Sequence, residues 1–371
     1  MKKENLEKRS ESVRVLYVVG NIDPISTALE VSRYMGGAEA QILVASFYET
    51  EYQTQNLPLP LVQINSTGRF DLSGAWRLFR HVVEYNPDVI HVHHTVSAFW
   101  AALFGRLIGA KIIYSEHSNP KFHTPIQHYA KSIARVLSDL VLCNSRTTYK
   151  GIPSYQKNFL RNEYRIVYNG VDKNRIERGA SISPPFEIEE KSDRITVGTV
   201  GRLIDEKNHE RLLQAFSRVL KRFEGAIRLV IIGGGEKLSV LKKEVDRLGI
   251  AGQVIITGEV EREKVYAALH SFDVFVMPSL SEGFCNAAVE AMAAGLPLLC
   301  SDIPTLREVV GDVAKYADPR DSSSMSKALV ELLREGSKGW EKRGRKARQR
   351  AVERYSIERT AQEYLQAYLV V

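Results

Sequence analysis

At 371 residues, 44% of them hydrophobic and 26% charged, the chain is longer than one hydrophobic core supports and too apolar for a disordered or fibrous protein, so two globular domains are expected. Its cysteines, Cys143, Cys285 and Cys300, are odd in number and lack Cys-x-x-Cys spacing, which excludes a disulfide framework and a zinc site and points to a reducing compartment. The net charge of +7 is concentrated in residues 334–350, where eight basic residues face only Glu335 and Glu341.

Residues 1–11 alternate Lys, Arg and Glu without the apolar stretch of a signal peptide, and no uncharged apolar run approaches membrane-spanning length. A cytoplasmic protein that does not cross a bilayer is therefore expected, with no nucleic-acid partner. The basic segment 334–350 has two readings: a solvated helix face, or peripheral contact with anionic head groups at the inner face of the membrane.

In chain order, β-branched runs at 13–19, 41–46, 89–92, 111–114 and 140–143 alternate with longer helical stretches, as in a βαβ series. Residues 174–192 break the pattern with Gly179, Pro184 and Pro185 and read as a linker. A second series follows, with strand-like runs at 195–200, 227–232, 253–257, 274–277 and 298–300 and helical spacing at 209–222 and 237–248. The expected organisation is an N-terminal domain over 1–173, a linker over 174–192, a second α/β domain over 193–355, and a final amphipathic helix over 356–371. Ligands of such sheets bind beyond the carboxyl ends of the strands, so the loops after each strand should hold the chemistry.

After the run 195–200, Gly201-Arg202-Leu203-Ile204-Asp205-Glu206-Lys207-Asn208 places two cations on a strand-to-helix connection, suited to a diphosphate or simply to solvent. After 274–277, the loop Ser281-Glu282-Gly283-Phe284-Cys285 runs into a helix expected to begin near Asn286 and to end at Gly295, before Pro297. A helix start offers unpaired N–H groups and a positive dipole end to phosphate oxygens, while Glu290, a turn further in, can accept from ribose hydroxyls. Gly233-Gly234-Gly235-Glu236 either admits a nucleobase or ribose edge or is a flexible loop.

These pieces, together with Glu290-Ala291-Met292-Ala293-Ala294-Gly295-Leu296-Pro297, resemble the family 4 retaining glycosyltransferases, also called glycosyl transferases group 1. Residues 88–93, 115–117 and 165–172 are similar to strand-end pieces of the same family. The resemblance implies a GT-B fold, with two Rossmann-like parallel-sheet domains facing each other across a deep cleft and the last helix packing back on the N-terminal domain. It also implies that Arg202 and Lys207 hold the diphosphate of a nucleotide diphosphate sugar, that Glu290 holds the ribose, and that Glu282 with Gly283, Phe284 and Cys285 holds the sugar. His117 would be the N-terminal-domain histidine at the reaction centre, with His94 as the competing position.

By the same resemblance, a hexose or N-acetylhexosamine would pass, with retention, from a UDP-sugar rather than GDP-mannose to a saccharide or lipid-linked saccharide, in polysaccharide or glycolipid synthesis. No Asp-x-Asp element is positioned for a metal, so neither a metal nor a cofactor beyond the donor is expected. Two other readings share the fold: a nucleotide-sugar epimerase and a non-catalytic nucleotide-sugar-binding protein. Gly36-Gly37-Ala38-Glu39 reads as a helix-to-strand turn, which leaves Gly20-Asn21-Ile22-Asp23-Pro24 as the first loop.

Overall fold

The structure, a computed structural model, describes residues 12–21, 27–35, 39–49, 59–68, 71–93, 95–118, 125–159, 163–187 and 194–371. Two compact units make up the chain: Met1–Gly170 with Ile357–Val371, and Val171–Ser356.

The first unit is a parallel sheet of β1 (Val13–Val19), β2 (Ala40–Tyr48), β3 (Leu61–Ser66), β4 (Val89–Val92), β5 (Lys111–Glu116), β6 (Leu140–Cys143) and β7 (Glu163–Ile166), in the order β3-β2-β1-β4-β5-β6-β7. Alternate residues of β1 serve different cores, as a pleated strand requires. Val13, Val15 and Tyr17 pack with Tyr364 and Tyr368 of the helix Ile357–Val370, whereas Leu16 and Val18 join Leu78, Ala101 and Ala134 from the helices on the other face. A buried His91 bridges the sheet to that last helix, its Nδ1 lying 2.7 Å from the Tyr368 hydroxyl and its Nε2 2.8 Å from Ser115 Oγ. Burial first, and the proximity of His117 second, hold its pKa well below the usual imidazole value.

The second unit repeats the plan with β8 (Ile195–Val200), β9 (Ile227–Ile232), β10 (Val254–Ile256), β11 (Val274–Met277), β12 (Leu298–Ser301) and β13 (Lys315–Ala317), ordered β10-β9-β8-β11-β12-β13. In both sheets the chain works outward from one strand, then returns to start on its other side. That reversal falls between β1 and β4 and again between β8 and β11.

Strands β3, β7 and β13, absent from the sequence reading, are all sheet edges. An edge strand is not buried on both faces, so it keeps polar residues and lacks the continuous apolar run by which central parallel strands are recognised. Within 174–192, Lys173–Arg178 is helical and buries Ile176, while Gly179 lies against the backbone of Tyr266 and Ala267. Six residues are too few to display a helical period.

The helix Asn286–Ala293, which borders the candidate site, owes its position to Gly344 of the helix Gly336–Arg354. A Cβ on Gly344 would collide with the Gly295 carbonyl, a backbone atom that cannot swing away. Gly344→Ala is expected to cost about 1–3 kcal/mol through overpacking, seen as a lowered melting temperature. A change within about 0.5 kcal/mol, the range of an ordinary surface substitution, would contradict this packing.

Candidate functional site

The order reversal in the second sheet sets two loops side by side, 201–208 after β8 and 278–285 after β11. Crevices at such reversals are where doubly wound sheets take ligands. Asn208 fastens the loops: its Nδ2 donates to the carbonyls of Pro278 (2.9 Å) and Pro319 (2.8 Å), and the Leu280 amide donates to the Glu206 carbonyl (2.8 Å). Asn208 does so from a left-handed backbone, φ +57°, which asparagine tolerates better than most residues.

Across this junction Lys207 Nζ lies 2.6 Å from Glu282 Oε1, and Ser279 Oγ donates to the same oxygen at 2.7 Å. Burial works against the Lys207 ammonium, but Glu282, aided by the Cys285 thiol, outweighs it and raises the pKa, so the charge is kept. Arg202 is exposed and makes no ion pair among the described residues. Of the residues named from the sequence, the structure brings Lys207 and Glu282 into contact and leaves Arg202 exposed.

The helix Asn286–Ala293 begins at Cys285, in a left-handed conformation with φ +82°. Gly283 is not left-handed; the strained residue of this loop is the cysteine, at a cost on the order of 1–3 kcal/mol. Its thiol is buried, which pushes its pKa up, as the nearby Glu282 also does. Phe284 is buried against Tyr355, the rings 5.4 Å apart edge to face. Gly295, at φ +81°, follows the end of the helix as expected.

Glu290 is buried rather than open to solvent, and its carboxylate accepts from Arg262 Nη2, a residue the sequence reading did not single out. Arg262 opens the helix Arg262–His270, whose sequence shows only an ordinary charged start. Two of the three glycines after β9 are required by close packing. Gly233 and Gly235, both at φ +148°, lie against the backbone of Gly201 and Leu203, and the Leu203 amide donates to the Gly234 carbonyl at 2.8 Å.

In the first unit, His117 follows β5 and His93 follows β4. Their rings stack, with His93 Nδ1 2.9 Å from His117 Nε2. Asn144 Nδ2 donates to the His117 carbonyl at 2.9 Å, and the neighbouring Glu116, fully buried, is held by Lys131 (2.9 Å) and Arg135 (3.1 Å). His117 therefore sits on an anchored loop. His94 lies outside the described residues, as do Gly36 to Ala38 and Ile22 to Pro24.

Two doubly wound parallel sheets in succession, with charged loops at an order reversal, define the GT-B class. Residues 184–351 match the family described as Glycosyl transferases group 1, and residues 27–175 match Glycosyltransferase Family 4. An uncharacterized glycosyltransferase of Methanocaldococcus jannaschii is 24% identical over 67% of this chain and 64% of its own length. The alpha-monoglucosyldiacylglycerol synthase of Streptococcus pneumoniae is 26% identical over 71% of this chain and 63% of its own. The chain thus spans somewhat under two thirds of these two relatives. The Anabaena HepE structure in complex with UDP-glucose superposes with a TM-score of 0.81 at 16% identity, covering 97% of this chain and all of that one. The chain belongs to the group 1 glycosyltransferases, the family its motifs resemble.

His209, directly after the Asn208 fastening, is 3% exposed with no partner for Nδ1 among the described residues, and its pKa is pushed down to about 4 by burial and then by Lys207. The folded pKa lies below the unfolded value of about 6.5, so the neutral ring's stabilisation is complete above about pH 6.5 and is lost as pH falls toward about 4. Melting temperatures of the wild type and of His209→Gln, compared from neutral pH down to about pH 4.5, should converge as pH falls. Curves that stay parallel would contradict a neutral buried imidazole.

Proposed function

We propose that this protein transfers a hexose or N-acetylhexosamine, with retention of anomeric configuration, from a UDP-sugar to a hydroxyl of a saccharide or lipid-linked saccharide, in cell-surface polysaccharide or glycolipid synthesis. The observation that carries the reading is the convergence of Lys207, the exposed Arg202 and the start of the helix Asn286–Ala293 at the β8–β11 reversal. A uridine donor is favoured because the Anabaena protein of the same fold was solved with UDP-glucose. A lipid-linked acceptor accords with the name of the pneumococcal relative, a synthase of a glucosyl lipid.

In this reading the diphosphate lies along the two loops. Negative charge grows on it as the bond to the anomeric carbon breaks, and Lys207, Arg202 and the helix N–H groups, already in position, stabilise that charge without reorganising. The acceptor oxygen forms its bond on the face the diphosphate leaves. Glu282 orients Lys207 and faces the sugar, with the backbone of Gly283, Phe284 and Cys285 beside it. Glu290, its direction fixed by Arg262, accepts from ribose hydroxyls. His117 contacts the sugar, and its stack on His93 fixes the ring. The cations of 334–350 add a general attraction toward anionic surfaces.

Labelled UDP-sugars incubated with and without saccharide and lipid acceptors test the proposal: UDP release should depend on acceptor. A changed sugar nucleotide without acceptor would mean epimerisation instead, and tight binding without either would mean a binding protein. Lys207→Met should lower turnover on the order of 10²–10³-fold, the effect of deleting one pre-positioned stabilising group. His117→Ala should lower turnover while UDP alone binds as before. Near-normal turnover in both folded variants would remove these roles.

A further inference from the structure

The helix Gly336–Arg354 does more than present charge: it grips the helix Asn286–Ala293 at both ends. Gly344 lies against the Gly295 carbonyl just after that helix, and Tyr355, which closes the longer helix, meets the Phe284 ring just before it. Phe284 and Gly295 stand eleven positions apart, and so do Gly344 and Tyr355, so the two helices run antiparallel and meet over matched lengths. One grip is backbone on backbone. The other is side chain on side chain, at the loop proposed above to hold the donor sugar.

Tyr355 is buried and is itself fixed along its backbone: its amide donates to the Ala351 carbonyl and its carbonyl accepts from the Val171 amide, both at 2.8 Å. A buried phenol keeps a partner for its hydroxyl, and that of Tyr355 donates to the Val309 carbonyl at 2.9 Å. Val309 lies in the last turn of the helix Pro304–Val310, whose final carbonyls have no partner within the helix. Arg350 shares the task, its Nε donating to the Val309 carbonyl at 2.9 Å and its Nη2 to that of Glu308 at 3.0 Å. At the other end of the same short helix, Thr305 Oγ1 donates to the Glu282 carbonyl at 2.9 Å.

The loop is thus held at alternate residues, Glu282 through Thr305 and Phe284 through its ring, and both holds lead to Tyr355. Beside them stand Gly283 and the left-handed Cys285. A non-glycine backbone in that region persists only where its surroundings over-determine it. Edge-to-face packing at 5.4 Å fixes the Phe284 ring, and with it the peptide that leads into Cys285. Because Arg350 also supports Val309, the hydroxyl is the replaceable part of the hold and the ring is not.

We propose that Tyr355 is a positioning residue of the sugar subsite: its ring, through Phe284, sets the course of the Glu282–Cys285 backbone. It acts from outside the site, through the second side of a loop whose first side faces the sugar. The inference rests on the reading in which that loop holds the donor sugar.

Amide exchange of the free protein and turnover in the UDP-release assay test it, on the full chain carrying Tyr355→Leu, Tyr355→Phe, Glu282→Gln or Leu329→Ala. Leu329 is fully buried in the core of the same unit, so its truncation lowers the melting temperature without reaching the loop. Tyr355→Leu should speed exchange at residues 283–286 but not at 201–208. It should also lower turnover per folded molecule on the order of 10- to 10²-fold, the effect of a small misplacement at a reacting centre, and by a larger factor than it changes UDP affinity. Tyr355→Phe should restore the exchange pattern and most of the turnover, whereas Leu329→Ala should lose stability alone. Phe284→Leu removes the same ring contact from the other side and should behave as Tyr355→Leu does, which decides the matter where the latter does not fold. If wild type releases no UDP, or Glu282→Gln keeps full turnover, the sugar subsite is removed and the proposal with it. If Glu282→Gln loses turnover while the folded leucine variants keep it, or if exchange at 283–286 speeds no more in them than in Leu329→Ala, the proposal alone is overturned.

Discussion

The chemistry of the second unit depends on one topological constraint, the reversal of strand order between β8 and β11. Neighbouring strands whose connections depart toward opposite sides leave a gap at their carboxyl ends, and the two loops that border it are distant in sequence but adjacent in space. Asn208 closes that arrangement by binding carbonyls on the loops after β11 and β13, so that Lys207 and Glu282 meet across it. The first unit has the same reversal between β1 and β4, with His93 at its edge and His117 one strand further along.

What is held there is costly to hold. Lys207 with Glu282 and Arg262 with Glu290 are ion pairs in largely buried positions, where apolar residues of similar size would often be as stable. Cys285 adds a left-handed backbone that a cysteine rarely adopts. Strain and buried charge at the bordering loops of one gap accord with the ligand site proposed there. The Glu116 cluster of the first unit is different in kind: Lys131 and Arg135 enclose the carboxylate within the unit, and its effect is to anchor the loop that bears His117.

The sequence was most legible where burial was most complete. Strands β1, β4, β6, β8, β9 and β11 have the limits their apolar runs suggest, because strands covered on both faces must be apolar throughout. Edge strands β3, β7 and β13 carry no such demand and were missed. The motif loops were found through residue types that have chemistry of their own, namely Lys207, Glu282 and Glu290. Arg262 and Ser279 were not, since an arginine at a helix start or a serine in a loop looks like any solvated residue until the fold brings it to a carboxylate. The glycines 233–235 left two readings open because only the structure shows that the backbone of Gly201 and Leu203 occupies the space side chains at 233 and 235 would need.

The central claim, that the loops bordering the β8–β11 reversal form a nucleotide diphosphate site, is tested most directly by amide hydrogen exchange of the whole chain with and without UDP. Exchange should slow at residues 201–208 and 282–290, where loop amides and the helix start meet the diphosphate, with little change over β12 and β13. Saturating UDP that leaves both segments unprotected, or protects only residues of the first unit, would contradict the account.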